Sequence, residues 1–146
     1  MKYFILAALV SLLALQPLWA QGYQNQDCVG AVPLCLSRYE LPYSFSGRGT
    51  VNELSGYYDQ YSTFCLLNGE NNSAWYILKF NSTGQLVFNI LPYGPDDYDF
   101  AMFDMTGLSC ANILDTTAPF VRCTYALNVG TPTGLAYGST AVSAGP

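Results

Sequence analysis

The chain contains no histidine and no CxxC pair, and only five of its 146 residues are lysine or arginine. Each shortage excludes something. Without an imidazole, Ser-His-Asp and Cys-His nucleophiles lack their base, and a zinc site loses its usual ligands. So few cations set against ten carboxylates argue against nucleic acid as a partner, since phosphate neutralisation supplies most of that affinity, and against adsorption to anionic lipid. No glycine-rich loop opens a helix as a phosphate site requires. Beyond residue 20, no stretch repeats its apolar residues at the 3.6-residue interval of an amphipathic helix.

What is present begins with an export signal. Met1-Lys2 precedes an apolar run over residues 4–15, and Leu18-Trp19-Ala20 offers a small residue for cleavage. This is the layout of a secretory signal peptide over residues 1–20. The run is short for a bilayer crossing and Pro17 ends it. Removal of the signal takes Lys2 with it and leaves 126 residues, in which Arg38, Arg48, Lys79 and Arg122 face ten acids for a net charge of −6. That length suits one domain with its own core. The expected product is secreted or displayed at the cell surface, with no membrane insertion once the signal is gone.

In an exported protein the five cysteines read as disulfides rather than thiolate chemistry. Cys110 and Cys123 flank twelve residues and form the first expected bridge, Cys35 with Cys65 the second. Each would stabilise the domain by about 2–4 kcal/mol. Cys28 is then left for a partner outside the chain.

Gly, Pro, Asn, Ser and Thr punctuate the chain at intervals that suit short strands. Residues 31–34 form a short strand in which Pro33 takes an edge position. Residues 37–63 are loop, with at most a short strand at 43–45. Residues 73–80, SAWYILKF, are aromatic and β-branched enough for a strand buried on much of both faces, with Trp75 in the core. A turn at 81–84 leads into residues 85–90, where Leu86, Phe88 and Ile90 alternate with Gln85, Val87 and Asn89. The two segments read as a hairpin. Residues 99–103 and 120–127 supply further strands, and the apolar faces of 75–80, 86–90 and 100–103 are expected side by side. The domain spans residues 21–127. Residues 128–146, rich in Gly, Ser, Thr and Ala, are either a linker or the cut end of the domain, its last strands and a sixth cysteine lying beyond Pro146.

Two groups could carry function. Asp97 and Asp99 project to one face of an extended chain, roughly 7 Å apart, with Asp96 in the preceding turn. They could supply part of a calcium site or cap the turn and keep the strand entrance soluble. Catalysis is not expected of them, because neighbouring carboxylates on a solvated turn are not the opposed, sheltered pair of glycoside hydrolysis. Tyr57, Tyr58 and Tyr61, near Tyr39 and Tyr43, could stack on sugar rings or pack their own rings while wetting the hydroxyls. Two N-glycosylation sequons, at 71–73 and 81–83, are equally ordinary turn chemistry.

Taken in order, DCVGAVPLC at 27–35, GENNSAWY at 69–76, PDDYDF at 95–100, SC at 109–110 and VRC at 121–123 resemble a known module. It is the N-terminal module of large secreted surface proteins of gliding Gram-negative bacteria, which often carry PKD-like repeats and a gliding-motility-associated sorting domain. The resemblance implies a jelly-roll-like antiparallel β-sandwich, distantly similar to pre-peptidase C-terminal domains. It also implies calcium at Asp97 and Asp99, and export through the general secretory and type IX pathways. The function expected is a non-catalytic module for adhesion or ligand binding, the ligand an extracellular component such as a glycan. A calcium-steadied spacer or prodomain is the alternative, and a hydrolase a third.

Overall fold

Frequent turn residues keep the strands of this chain short, and long-range pairing gathers them. The structure, a computed structural model, describes residues 24–57, 64–66, 69–125, 127–137 and 143–144; the expected signal peptide at 1–20 lies outside them. Strands outweigh helix, and the fold is β-rich. The strands are β1 (Val32–Pro33), β2 (Tyr76–Ile77), β3 (Phe88–Ile90), β4 (Phe100–Phe103), β5 (Phe120–Thr124), β6 (Thr133–Leu135) and β7 (Ser143–Ala144). A one-turn helix, α1 (Cys110–Leu114), separates β4 from β5, and two 3-10 turns at Gln24–Gln26 and Cys28–Gly30 open the described chain.

β4 and β5 pair antiparallel, Ala101 opposite Cys123, with a register shift between Met102 and Phe103. β7 adds in parallel to the other edge of β5. β3 pairs antiparallel with β6, and β1 pairs in parallel with β2. In that last ladder Val32 N–H donates to Trp75 O and Leu34 N–H to Ile77 O, both at 3.0 Å. Pro33 falls between these two donors, where a missing N–H costs the ladder nothing. The edge position expected of Pro33 therefore has a simple cause.

Helix α1 is unexpected, since five residues are too few to display a period. Its ends explain it. Asn112 Oδ1 accepts from Ser109 N at 3.0 Å, a capping-box contact at the first turn. Ile113 points inward and is almost wholly buried.

The core is aromatic. Leu54, Tyr57, Phe64, Ile113 and Ala118 are buried together, with Trp75, Phe103 and Phe120 packed against them. Tyr57 lies 5.0 Å from Phe103 and 5.3 Å from Phe64 between ring centroids, and Phe64 meets Phe120 edge-on at 5.3 Å. Such tilted and edge contacts suit the ring quadrupoles. Trp75 belongs to this core, as its sequence setting suggests.

Several expectations are corrected. The segments at 73–80 and 85–90 do not form a hairpin with each other: β2 turns to β1 and β3 to β6. Nor do β2, β3 and β4 lie as adjoining ribbons, because each has a different hydrogen-bonding partner. Rings connect these regions, Trp75, just before β2, stacking on Phe103 and Phe88 meeting Phe100 edge-on. Tyr76, Ile77, Leu78 and Phe80 are exposed rather than buried on both faces. Residues 43–45 are loop, within the expectation of at most a short strand there. β6 and β7 lie within residues 128–146, so this segment joins the sheets instead of leaving them as a linker. The alternation at 85–90 does hold: Leu86, Phe88 and Ile90 are half-buried and Gln85, Val87 and Asn89 exposed.

The disulfides differ as well. Cys28 bonds to Cys110 and Cys65 to Cys123, with Cα atoms 5.8 and 6.1 Å apart. Cys35 is unpaired and exposed. The expected bridges Cys110–Cys123 and Cys35–Cys65 are therefore absent. Sequence proximity is a poor guide here because α1 and β5 direct Cys110 and Cys123 to different neighbours.

At Gly134, opposite Asn89 in the β3–β6 ladder, an added Cβ would run into the Phe88 carbonyl and the Asn89 Cα. Gly134→Ala is expected to cost about 2–3 kcal/mol, read as a lowered urea midpoint. Amide exchange should quicken first at residues 88–90. A midpoint equal to that of the parent would contradict this register.

Candidate functional site

The turn ahead of β4 uses its aspartates to fasten other loops. Ser44 Oγ donates to Asp96 Oδ2 at 3.0 Å, Gly130 N–H to the Asp96 carbonyl at 2.9 Å, and Asn128 N–H to Asp97 Oδ1 at 3.1 Å. The side chains of Asp96 and Asp97 thus engage different segments, while Asp99 sits half-buried just before β4. Among the described residues, no three Cys, Asp or Glu side chains converge in the manner of a metal site. The contacts at Asp96 and Asp97 run to distant loops rather than to amides of their own turn.

The tyrosines separate into two populations. Tyr57 is 0 % exposed, and its hydroxyl donates to the Ala118 carbonyl at 2.9 Å. It is a core residue and cannot meet a ligand: of the two roles weighed for it, its ring packs, with the hydroxyl bonded to protein rather than wetted. Tyr58 and Tyr61 lie outside the described residues. A second group stands on the surface, where Tyr39, Tyr43 and Tyr76 are 45 %, 53 % and 37 % exposed. Tyr39 meets Tyr76 edge-on with centroids 5.7 Å apart. Ser44 links this group to the acidic turn, contacting Tyr98 Oη at 2.5 Å and Asp96 at 3.0 Å. Partial burial, then the neighbouring Tyr39, Tyr98 and Tyr43, pushes the Tyr76 phenol up to about 12. The face therefore keeps that phenol as a neutral donor at any physiological pH. An exposed Arg38–Glu40 ion pair lies nearby in sequence.

A third cluster had no counterpart in the sequence reading. Glu53 and Glu70 are buried at 2 % and 3 % exposure. Glu53 Oε1 accepts from Cys28 N at 2.7 Å. Glu70 Oε2 accepts from Glu53 N at 3.0 Å, and Glu70 Oε1 from Trp75 Nε1 at 2.8 Å. Burial first, and the adjacent Glu70 charge second among the raising causes, lifts Glu53 to about 7 against the opposing bond from Cys28. The one signal available beforehand was a glutamate five residues ahead of a core tryptophan. Nearby, Asp27 accepts from Thr50 Oγ1 at 2.7 Å and Val51 N at 3.0 Å, and these bonds hold its carboxyl below the usual range.

Comparison with protein-family models, with curated proteins and with solved structures returned no match. No helix among the described residues is long and apolar enough to cross a membrane, and two disulfides are consistent with an oxidising, extracellular setting.

Because Tyr57 contributes one buried hydroxyl bond, Tyr57→Phe should lower stability by about 1 kcal/mol. The denaturant slope should stay unchanged. A gain in stability on this substitution would show that the Ala118 contact is not made.

Proposed function

We propose that this chain is a non-catalytic module of a secreted or cell-surface protein, serving adhesion by binding an extracellular ligand. The observation that carries the reading is the exposed tyrosine group of Tyr39, Tyr43 and Tyr76, tied through Ser44 to Tyr98 and Asp96. Aromatic faces present stacking area at little entropic cost, and phenols with a neighbouring carboxylate supply hydrogen bonds to hydroxyl groups. A glycan is the ligand class this chemistry fits. In this reading the group around Tyr76 takes the place of Tyr57 in the ligand surface, while Tyr58 and Tyr61 lie outside the described residues.

The finer architecture in this reading is a jelly-roll-like sandwich. The β3–β6 pair would face the β4–β5–β7 sheet; the Phe88–Phe100 contact at 5.0 Å and the 3.3 Å approach of Thr124 and Thr133 hydroxyls support it. Membership of a type IX-exported surface protein rests on the sequence resemblance. A calcium ion at Asp97 and Asp99, with Asp96, belongs to the spacer alternative. A non-catalytic role is favoured because the buried carboxyl pair, Glu53 and Glu70, is closed to substrate.

Screening of the disulfide-intact protein against immobilised glycans tests the proposal. Tyr39→Ala and Tyr76→Ala should each weaken binding about tenfold, the equivalent of about 1.4 kcal/mol, while thermal midpoints remain close to that of the parent. Glycan binding untouched by both substitutions would place the ligand elsewhere. Absence of glycan binding together with a thermal midpoint lowered by calcium chelation would favour the spacer reading.

A further inference from the structure

We propose that Glu53 and Glu70 form a buried acid–carboxylate pair that holds one proton between them, making the joint between the N-terminal 3-10 turn, the 52–57 loop and β2 strongest in mild acid. The hydrogen-bond inventory leads to this assignment. Glu70 takes two N–H donors, from Glu53 N and Trp75 Nε1, one on each oxygen, as a carboxylate does. Among the described residues Glu53 takes one, from Cys28 N on Oε1, and its Oε2 is buried with no partner. An ionised Glu53 would leave that oxygen as an unsatisfied buried acceptor beside a second negative charge. A proton on Oε2 turns the same atom into a donor, and Glu70 retains lone pairs to receive it. One proton satisfies every oxygen of the pair.

Asn52, the residue before Glu53, also holds a buried side-chain oxygen with no partner among the described residues, and the other neighbouring groups are engaged elsewhere. The 3-10 turn contributes Cys28, locked in its disulfide with Cys110 of α1, and Asp27, a carboxylate engaged by Thr50 and Val51. Tyr57, on the same loop as Glu53, sends its hydroxyl to Ala118. The segment entering β2 contributes Trp75, which does not titrate, and its backbone N–H donates to Asn25 O at 2.6 Å. Among the described residues, no guanidinium or ammonium acts on Glu53. The position of Glu53, raised from 4.5 to about 7, agrees with this geometry.

The direction of the pH effect follows. A carboxyl raised on folding contributes stability that is whole below its unfolded value of 4.5, declines as pH rises, and is gone above about 7. Asp27, Asp104 and Asp115 act oppositely: all three are lowered by hydrogen bonds from side chains and backbone, so their contribution is lost as pH falls below 3.8. The fold should be firmest near pH 4–5 and weaken through neutrality.

Urea unfolding of the disulfide-intact chain between pH 5 and pH 8 tests this. The folding equilibrium constant of the parent should fall roughly 30- to 100-fold across that range. Glu53→Gln, which places an amide donor where the proton sat, should abolish the fall and be more stable than the parent at pH 8. Carbon-13 titration of the glutamate carboxyls gives a second reading on the unmodified protein, with one signal titrating between pH 6 and 8 and absent from the variant. A parent whose stability is flat over the range, a variant that keeps the parental slope, or glutamates that all titrate below pH 5 would each overturn the proposal.

Discussion

Two long-range disulfides hold this structure together. Cys28–Cys110 and Cys65–Cys123 close loops with separations of 82 and 58 residues, joining the N-terminal 3-10 turn to α1 and the segment at 64–66 to β5. The strands they connect are two to five residues long, too short to hold a fold by ladders alone. Cross-links over loops of this length remove much of the freedom of the unfolded chain, by about 3–5 kcal/mol each in the chain-entropy account. Tyr57, Phe64, Phe103, Phe120 and Trp75 then pack in the space they enclose.

The same joint accounts for the buried carboxyls. Cys28 donates its backbone N–H to Glu53, and Glu53 and Glu70 connect that turn to Trp75. Two acids with so little access to water are costly unless the charge is reduced, so the first disulfide and the pair's protonation act on one region. Outside it, hydrogen bonds from Ser44, Gly130 and Asn128 to the acidic turn bring separate loops together at the entrance to β4. Polar contacts between loops do here what longer strands do in larger sheets.

Strand positions were legible where side-chain alternation or β-branched runs were strong. Residues 88–90, 100–103 and 120–124 are strands, and the burial of Leu86, Phe88 and Ile90 follows their spacing. Partner choice was not legible, because pairing depends on contacts distant in sequence. SAWYILKF looks like a buried strand by composition, yet β2 has β1 for its ladder and leaves Ile77, Leu78 and Phe80 toward solvent. Cysteine spacing carried no information on connectivity, as is general for such chains. Tyr57 looked like one of several loop tyrosines, and nothing local marks its burial. Glu53 and Glu70 lie 17 residues apart in polar surroundings, and only the fold brings them together.

Cys28–Cys110 and Cys65–Cys123 clamp the aromatic core. Proteolysis without reduction, after alkylation of free thiols, followed by mass spectrometry, reads the pairing. It should yield one linked peptide pair containing Cys28 and Cys110, another containing Cys65 and Cys123, and an alkylated Cys35. Linked peptides joining Cys110 to Cys123, or Cys35 to Cys65, would contradict this pairing.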